Sequence, residues 1–585
     1  MAVLVALGGW LLLHRTPKPS VEFTQKRLTF NSSEDPVTFL VISRDGKYIA
    51  YSDNTTIHVK LLSTGEERII PRPSGVPAGV VWLPIAWLPD GTRLLAEAAA
   101  MGHMSMWTVS LLGQPPRELR EDAYAAGVSP DGTRVLFWPA TNGMHAFREI
   151  WTVGIEGDDP KKILAVDKGD VLLSPSWSPD GARLAYVYGR LTGKKQSSIE
   201  TCNLDGKGRT VVVSTEPGNL MFWGVIWLPD GRIAYTRRES PSSSGNNLWQ
   251  IAVDSNTGTP TTKPKRVTQW AGARLSWGLS ASAYGDLAVL NLQWRAQVDL
   301  GELTAGGTRM SPPRRLTTDE LDDLPTGWTV DGKAVLFDSN PNGPLGIFKQ
   351  GISEGTSEPV VTGPHDLHDA QPSPDGAWIL YLEKASAPTD AIAKHRLMRI
   401  PANGGMPRLV LETRNIVDFQ CANAPASLCV VVEKSLDGKQ LLITAFDPLQ
   451  GRGSVRGTLE SDPKGGYDVS LSPDGATEAI TRGYEPEGHI VLLALSSGTR
   501  RDITVKGWQR LTSLIWSPDK RGFYCGSVSP QGNAILYVDL KGNARVLWLY
   551  KGLENDLVGI PSPDGRYLAI GHQVTNSSGW LIKGF

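Results

Sequence analysis

The tetrapeptide Ser-Pro-Asp-Gly returns, with close variants, about every 47 residues along this 585-residue chain. A period of that length is typical of propeller blades or solenoid repeats, so it limits the possible folds more than any single residue does. The Asp-Gly pairs of the clean copies are Asp90 and Gly91, Asp131 and Gly132, Asp180 and Gly181, Asp230 and Gly231, Asp375 and Gly376, Asp474 and Gly475, and Asp564 and Gly565. Degenerate copies, and one position near Pro425 that has lost the signature, bring the total to twelve repeats.

Each copy of the motif predicts a tight turn between two strands. Proline presets φ at the second position, Asp bonds to nearby backbone, and Gly accepts a positive φ. After the turn, residues such as Arg183 to Tyr188 alternate with period two, as a strand does. Two more strand patterns follow in most repeats, so each repeat predicts the four short strands of one β-propeller blade. The Asp-Gly pairs therefore have a structural role.

The two ends of the chain indicate how the twelve repeats divide. A single ring of twelve blades would exceed the usual range of about four to eight. Residues 26–30 and 314–318 have the pattern of fourth strands with no repeat before them, and the last repeat stops one strand short. We expect an all-β fold of two tandem six-bladed β-propellers of four-stranded blades, at residues 21–306 and 311–585. In each, the N-terminal strand would complete the last blade and remove its exposed edge. A seven-plus-six division stays open.

Residues 1–20 form a hydrophobic segment followed by a proline linker. The apolar run from Ala2 to Leu13 would span about 18 Å as a helix, which is short of the hydrocarbon core of about 30 Å. We interpret it as the trailing half of a transmembrane helix that begins upstream of Met1. A short anchor and a weak signal peptide are the alternatives.

The sequence lacks the motifs of several common classes of enzyme and nucleic-acid-binding protein. The net charge is −1 and the basic residues are dispersed, so we expect no nucleic acid to be bound. No Gly-x-Ser-x-Gly elbow, kinase catalytic loop, P-loop or dinucleotide fingerprint occurs. These absences predict a chain that is not an enzyme and that holds no cofactor.

One polar cluster is a candidate ligand or partner site. His365, Asp366, His368 and Asp369 precede the first strand of the repeat that carries Asp375, and Asp322 and Asp323 precede an earlier first strand. Other first strands are also preceded by acidic residues, among them Asp418 and Asp468. In a propeller these positions lie at the mouth of the central channel, where they would form an acidic ring for a cation or a basic peptide. The alternative is that they cap turns. No third ligand accompanies His365 and His368, so no metal site is predicted.

Cys421 and Cys429 flank a turn-like segment between two strand patterns. Paired strands would bring them to bridging distance, so a disulfide and two buried free thiols both remain open. Cys202 and Cys525 are interpreted as core residues.

The stretch Trp177-Ser-Pro-Asp-Gly-Ala-Arg-Leu-Ala-Tyr186 resembles the TolB-type propeller repeat of bacterial periplasmic proteins, and the resemblance extends from about Val21 to Phe585. The apolar run, the proline linker and the segment from Arg27 to Glu34 resemble the extracytoplasmic half of membrane-spanning bacterial regulators. Those regulators carry a serine/threonine kinase or a winged-helix DNA-binding domain before the membrane helix, and neither domain occurs in this sequence.

This resemblance implies a non-enzymatic sensing module that binds a protein or peptide in the cell envelope. It also implies an inner-membrane anchor at the N-terminal segment and periplasmic propellers. A TolB-like scaffold of a trans-envelope complex and a metal-dependent enzyme acting at the channel mouth are the alternatives.

Overall fold

The structure is a computed structural model, and it describes residues 23–584 outside the following gaps: 54–55, 74–75, 77–79, 101–102, 141–146, 218, 220–221, 239–244, 271–272, 320, 342, 385–393, 463–465, 484–486, 509, 530–531 and 553–556. The predicted hydrophobic segment, residues 1–20, lies outside the described residues. No helix in the described part of the chain is long and apolar enough to cross a membrane.

The described residues divide into two compact units. Among the described residues, the first unit comprises those of 23–31, 37–293 and 577–584, and the second comprises those of 32–36 and 294–576. The strands up to the end of the first unit's repeats are β1 Thr24–Arg27, β2 Phe39–Ile42, β3 Tyr48–Ser52, β4 Ile57–Leu61, β5 Glu67–Ile70, β6 Val81–Trp87, β7 Arg93–Ala100, β8 His103–Ser110, β9 Arg117–Glu121, β10 Ala123–Val128, β11 Arg134–Pro139, β12 Glu149–Gly154, β13 Lys161–Ala165, β14 Asp170–Trp177, β15 Arg183–Arg190, β16 Gln196–Asn203, β17 Thr210–Ser214, β18 Phe222–Trp227, β19 Arg232–Arg238, β20 Asn246–Ala252, β21 Lys265–Arg266, β22 Leu275–Ala281 and β23 Leu287–Thr304.

The remaining strands are β24 Arg309–Met310, β25 Arg314–Arg315, β26 Leu324–Trp328, β27 Ala334–Ser339, β28 Gly346–Gly351, β29 Glu358–Val361, β30 Leu367–Pro372, β31 Trp378–Lys384, β32 Lys394–Pro401, β33 Arg408–Arg414, β34 Ile416–Cys421, β35 Cys429–Lys434, β36 Gln440–Asp447, β37 Gly451–Glu460, β38 Tyr467–Leu471, β39 Thr477–Arg482, β40 His489–Ala494, β41 Arg500–Thr504, β42 Leu511–Trp516, β43 Gly522–Ser529, β44 Gly532–Asp539, β45 Ala544–Tyr550, β46 Val558–Pro561 and β47 Tyr567–Lys583. From β2 to β21 and from β26 to β45, successive groups of four form antiparallel sheets in chain order.

In each unit the first strands of six blades contact one another in a closed cycle. The cycle of the first unit is β2, β6, β10, β14, β18, β22 and back to β2. The cycle of the second unit is β26, β30, β34, β38, β42, β46 and back to β26. Six innermost strands around one axis are the arrangement of a six-bladed propeller. The predicted fold class, two tandem six-bladed propellers of four-stranded blades, is confirmed.

The sixth blade of each unit is built from strands that are far apart in the sequence. In the first unit β22, β23, β47 and β1 are neighbours in that order, and Thr24 of β1 lies opposite Lys583 of β47. In the second unit β46 pairs with the start of β47, and β25 pairs with β23 through Asp299 and Arg315. The two unattached strand patterns of the sequence are thus the closing strands of the two rings.

The compact units differ from the predicted domains of residues 21–306 and 311–585 in two places. Residues 294–306 belong to the second unit, and residues 577–585 belong to the first. The reason is that β23 and β47 have 18 and 17 residues, so each continues beyond one blade and supplies a strand to a blade of the other unit.

The turn at Asp131 shows how the repeated motif works. The Ser129 hydroxyl donates to Asp131 Oδ1, which also accepts the amide of Thr133, and the Gly132 amide donates to the Ser129 carbonyl. Gly132 has a φ of 76°, which a Cβ would disfavour. These hydrogen bonds lower the pKa of Asp131. Ser178 with Asp180 and Ser472 with Asp474 repeat the same contact, so the motif is a self-contained turn.

The repeat near Pro425 has a disulfide, in place of the Ser-Pro-Asp-Gly turn, at the hairpin between its first two strands. Cys421 and Cys429 lie opposite each other on β34 and β35 and form a disulfide. Cys202 and Cys525 are free and buried, and burial raises the pKa of the Cys202 thiol to about 11. In this blade a covalent link therefore holds the hairpin that the Ser–Asp contact holds elsewhere.

We expect Leu581→Ala to destabilise the first unit by about 2–5 kcal/mol, the usual range for truncating a buried leucine. Leu581 is 3% exposed and packs beside Leu28 and Leu40, where the ring closes. Hydrogen exchange should show lost protection in β1 and β2. Leu303→Ala, in the core of the second unit, is the matched control and should affect β43 to β46 instead. Equal effects of both variants on both units would contradict this.

We expect the double variant Cys421→Ser, Cys429→Ser to lose about 2–3 kcal/mol of stability, because a cross-link restricts the unfolded chain. The midpoint of thermal unfolding, measured with and without reductant, checks this. Reductant should lower the midpoint of the wild type and leave that of the variant unchanged. A wild-type midpoint that does not respond to reductant would show that the bond contributes nothing.

Candidate functional site

Three carboxylates lie on consecutive innermost strands of the second unit. Asp369 is on β30, Asp418 is on β34 and Asp468 is on β38. These strands are neighbours in the cycle around the axis. Asp369 and Asp468 both raise the pKa of Asp418, after burial as the first cause, so the three lie within electrostatic range of one another. Carboxylates that face one axis create a negative potential there.

Asp369 is the exposed member of this group. Its φ is 59°, and the pairing of β30 with β31 shifts register between His368 and Gln371. A bulge of this kind redirects a side chain out of the regular alternation of a strand. The side chain is 47% exposed, and its Oδ2 lies 2.8 Å from Nδ1 of His368. The ring of His368 in turn lies edge-on to that of His395.

Asp338 lies behind Asp369, on the second strand of the preceding blade. It is 7% exposed, and its Oδ2 accepts the backbone amide of Asp369 at 3.3 Å. Its Oδ1 has no hydrogen-bond partner among the described residues. Burial, and then the charge of Asp369, raise the pKa of Asp338 well above its usual value.

Glu478 is a second buried carboxyl, on the second strand of the blade that follows that of Asp418. It lies on β39 opposite Leu471 and is fully buried, and within the described part of the chain neither of its carboxyl oxygens has a hydrogen-bond partner. Burial and the charge of Asp418 raise its pKa well above the usual value. Asp418 itself accepts hydrogen bonds from the Phe419 amide and from Gln420 Nε2. We refer to Asp338, Asp369, Asp418, Asp468 and Glu478 as the acidic cluster.

The six residues that the sequence predicted do not act together. His368 and Asp369 lie in or beside the acidic cluster, whereas other members bond to the backbone of loops and strand ends. Asp322 Oδ1 accepts the amide of Ala296 at 3.3 Å, and Asp366 Oδ1 accepts the amide of Leu345 at 3.1 Å. Both contacts are with backbone amides, and neither tests whether these residues bind a ligand.

Asp323 is only 1% exposed, and its amide donates to the carbonyl of Ala296. Burial, together with the neighbouring Asp319, raises its pKa to about 7. His365 is half-buried. Whether the predicted residues bind a ligand stays a prediction.

Sequence reasoning missed Asp338 and Glu478 because both lie on second strands, away from the strand starts that were searched. Asp338 follows an apolar run, Val335-Leu336-Phe337, and that pattern is the signal that would have found it. Glu478 lies in the mixed strand Thr477–Arg482, which carries no such signal. Glu97 of the first unit lies as far beyond Asp90 as Asp338 lies beyond Asp331, and it accepts the amide of Ala125.

In the described part of the chain, no group of three or more His, Cys, Asp or Glu residues is arranged to hold a metal ion.

A separate cavity of about 370 Å³ lies against β33, β35 and β37. Its buried Glu433 accepts hydrogen bonds from Thr413 and Arg452, so these polar groups satisfy one another. We assign this cavity no ligand.

No protein-family model matches the chain, and no curated protein is significantly similar to it. Similar solved structures include the tricorn protease, at 12% identity and a TM-score of 0.35 over 92% of this chain and 62% of that one. A GH74 enzyme of Niastella koreensis has 11% identity and a TM-score of 0.35 over 92% and 91% of the two chains. A putative TolB of Agrobacterium tumefaciens has 15% identity and a TM-score of 0.22 over 54% and 91%. The chain thus spans less than two thirds of the tricorn protease.

At these identities and TM-scores the solved structures are similar to the chain in fold alone. The resemblance to kinase-linked or winged-helix regulators stays a prediction. The prediction that the chain is not an enzyme is contradicted, because several of the similar structures are enzymes built on the same fold. The physical reason is that a propeller scaffold does not determine chemistry, so missing hydrolase and kinase motifs do not exclude it.

We expect Glu97→Gln to change how stability depends on pH. Burial raises the pKa of Glu97 to about 8 from its usual 4.5, so the folded chain keeps a proton that the unfolded chain releases. The wild type should therefore lose stability as pH rises from about 4.5 to 8, by up to about 1.4 kcal/mol per pH unit. Glutamine still accepts the Ala125 amide but does not ionise.

Urea unfolding at pH 5, 6.5 and 8 measures this dependence. The variant should gain stability relative to the wild type between pH 5 and pH 8. A constant difference between the two proteins at all three pH values would contradict the prediction.

Proposed function

We propose that the chain binds a partner through the second unit, and that the partner presents a cationic segment rich in Lys or Arg to the acidic cluster. The observation that carries this proposal is the placement of Asp369, Asp418 and Asp468 on consecutive innermost strands. Strand starts on one side of a propeller axis are accessible to a partner that approaches that side, and Asp369 is half exposed there.

The energetics favour a cation at this place. Burial, and then the charges of neighbouring carboxylates, raise the pKa values of Asp338, Asp418 and Glu478, which means that negative charge at these residues is incompletely solvated and repelled. An ammonium or guanidinium group near Asp369 and Asp418 would relieve that repulsion. Arginine suits the site best, because its planar fork reaches two carboxylate oxygens at once.

We further propose that this partner binding serves a cell-envelope protein, with a sensing role in a signalling protein as the leading form. The resemblance of the N-terminal arrangement to the extracytoplasmic part of membrane-spanning regulators supports this form. The Cys421–Cys429 disulfide supports an oxidising compartment such as the periplasm. A scaffold role like that of TolB in a trans-envelope complex is the second candidate, and the TolB-like fold favours it.

We expect the full chain to bind fluorescein-labelled octa-arginine, and the double variant Asp369→Asn, Asp418→Asn to bind it at least about tenfold more weakly, a loss of about 1.4 kcal/mol. Asparagine keeps the size and shape of both side chains and removes their charges, and at Asp418 it also replaces one of the two acceptor oxygens by an amide group. Fluorescence anisotropy at two salt concentrations measures the affinity, which should fall as salt rises.

Glu358→Gln is the matched control, because it removes one exposed negative charge from β29, an outer strand of the same unit. It should leave the affinity close to that of the wild type. If the control weakened binding equally, the binding would depend on net charge alone and not on the acidic cluster. If the wild type did not bind, the proposal would be overturned.

A further inference from the structure

The acidic cluster has an exposed layer and a buried layer. Asp369 is half exposed, whereas Asp338 is 7% exposed and Glu478 is fully buried. Asp338 Oδ1 and both oxygens of Glu478 have no hydrogen-bond partner among the described residues. A buried carboxylate without partners is costly, and the usual escape is to hold a proton.

The buried carboxyls are connected to the exposed layer by direct contacts. Asp338 Oδ2 accepts the backbone amide of Asp369, so a hydrogen bond between neighbouring blades joins the buried carboxyl on β27 to the residue that carries the exposed one on β30. Gln420 links the next pair of blades, since its Nε2 donates to Asp418 Oδ2 and to the Val469 carbonyl, and its Oε1 accepts the amide of Leu471. Leu471 lies opposite Glu478.

The charged groups that face the buried carboxyls are all acidic. Asp338 faces Asp369 from the next blade. Asp418 faces Asp369 on one side and Asp468 on the other, and Glu478 faces Asp418. Beside them, the imidazole of His368 contacts Asp369, and that of His395 contacts His368. In the described part of the chain, no Lys or Arg is among the groups that shift the pKa values of Asp338, Asp418 and Glu478.

We infer that the acidic cluster exchanges protons for its cationic partner, so that binding of a guanidinium or ammonium group releases protons from Asp338 and Glu478. The inference rests on the proposed function. Each step is balanced: a carboxyl O–H bond breaks, the proton leaves to solvent, and the carboxylate that remains faces the bound cation. The site is therefore regulated by pH, and affinity rises as the solution becomes less acidic.

The number of protons released determines how steeply the association constant depends on pH. Each proton released on binding raises the association constant tenfold for every pH unit, within the range where the free protein holds that proton. Octa-arginine with an acetylated N-terminus is the right probe, because guanidinium groups do not titrate in this range and the blocked peptide has no α-amino group to release a proton, so every released proton comes from the protein. The histidines are the other possible source, and His368→Gln combined with His395→Gln removes them.

The experiment is calorimetric titration of the full chain with octa-arginine at pH 7, in buffers of different ionisation enthalpy. The slope of the observed heat against buffer ionisation enthalpy gives the number of protons released. We expect at least about one proton for the wild type and for the double histidine variant. Asp338→Asn and Glu478→Gln should each lower that number, and Glu97→Gln, a buried carboxyl of the first unit, should leave it unchanged.

The outcomes separate the two proposals. Binding without proton release, or release that disappears in the histidine variant, overturns the proton exchange and leaves the proposed function in place. Absence of binding at pH 6, 7 and 8 overturns the proposed function and the exchange with it. Circular dichroism shows whether Asp338→Asn and Glu478→Gln are folded; if one is not, the other decides, and unchanged release in a folded variant counts against its residue as a proton source.

Discussion

Each ring is closed by hydrogen bonds between strands from distant parts of the sequence, and the positions of all other blades depend on that closure. In the first unit β1 pairs with the end of β47, and in the second unit β25 pairs with β23. Blades are separate four-stranded sheets that meet through side chains, so a row of them has two open ends. Pairing first and last segments in one blade removes the open edges and fixes the cycle of innermost strands.

Closure also explains why the acidic cluster exists. Asp369, Asp418 and Asp468 come from three repeats, yet the cycle brings the same part of each innermost strand to the same side of the axis. Carboxylates so placed repel one another, and those behind them lie in the apolar wedge between blades. Glu97 of the first unit has the same spacing from its turn as Asp338. Burial alone raises the pKa of Glu97, whereas burial and the charge of Asp369 raise that of Asp338.

Much of the fold was readable from local pattern. The turn at Asp131 is made by residues within five positions of one another, so its sequence is sufficient to predict it. The closing strands were recognisable as fourth-strand patterns without a repeat. The limits of the compact units could not be recognised from the sequence, because the lengths of β23 and β47 depend on the strands that pair with them. The site was half readable: Asp369 was found, whereas Asp338 and Glu478 were missed.

The sequence by itself determined the repeat, the turns and the alternation of each strand, since these depend on interactions between residues close in the chain. Only the tertiary structure decided which carboxyls meet. Asp322 and Asp366 have the same kind of sequence position as Asp369, yet they accept the backbone amides of Ala296 on β23 and of Leu345, whereas a bulge places the amide of Asp369 against Asp338. Contacts between blades depend on ring closure and strand register, and neither quantity is contained in any one repeat.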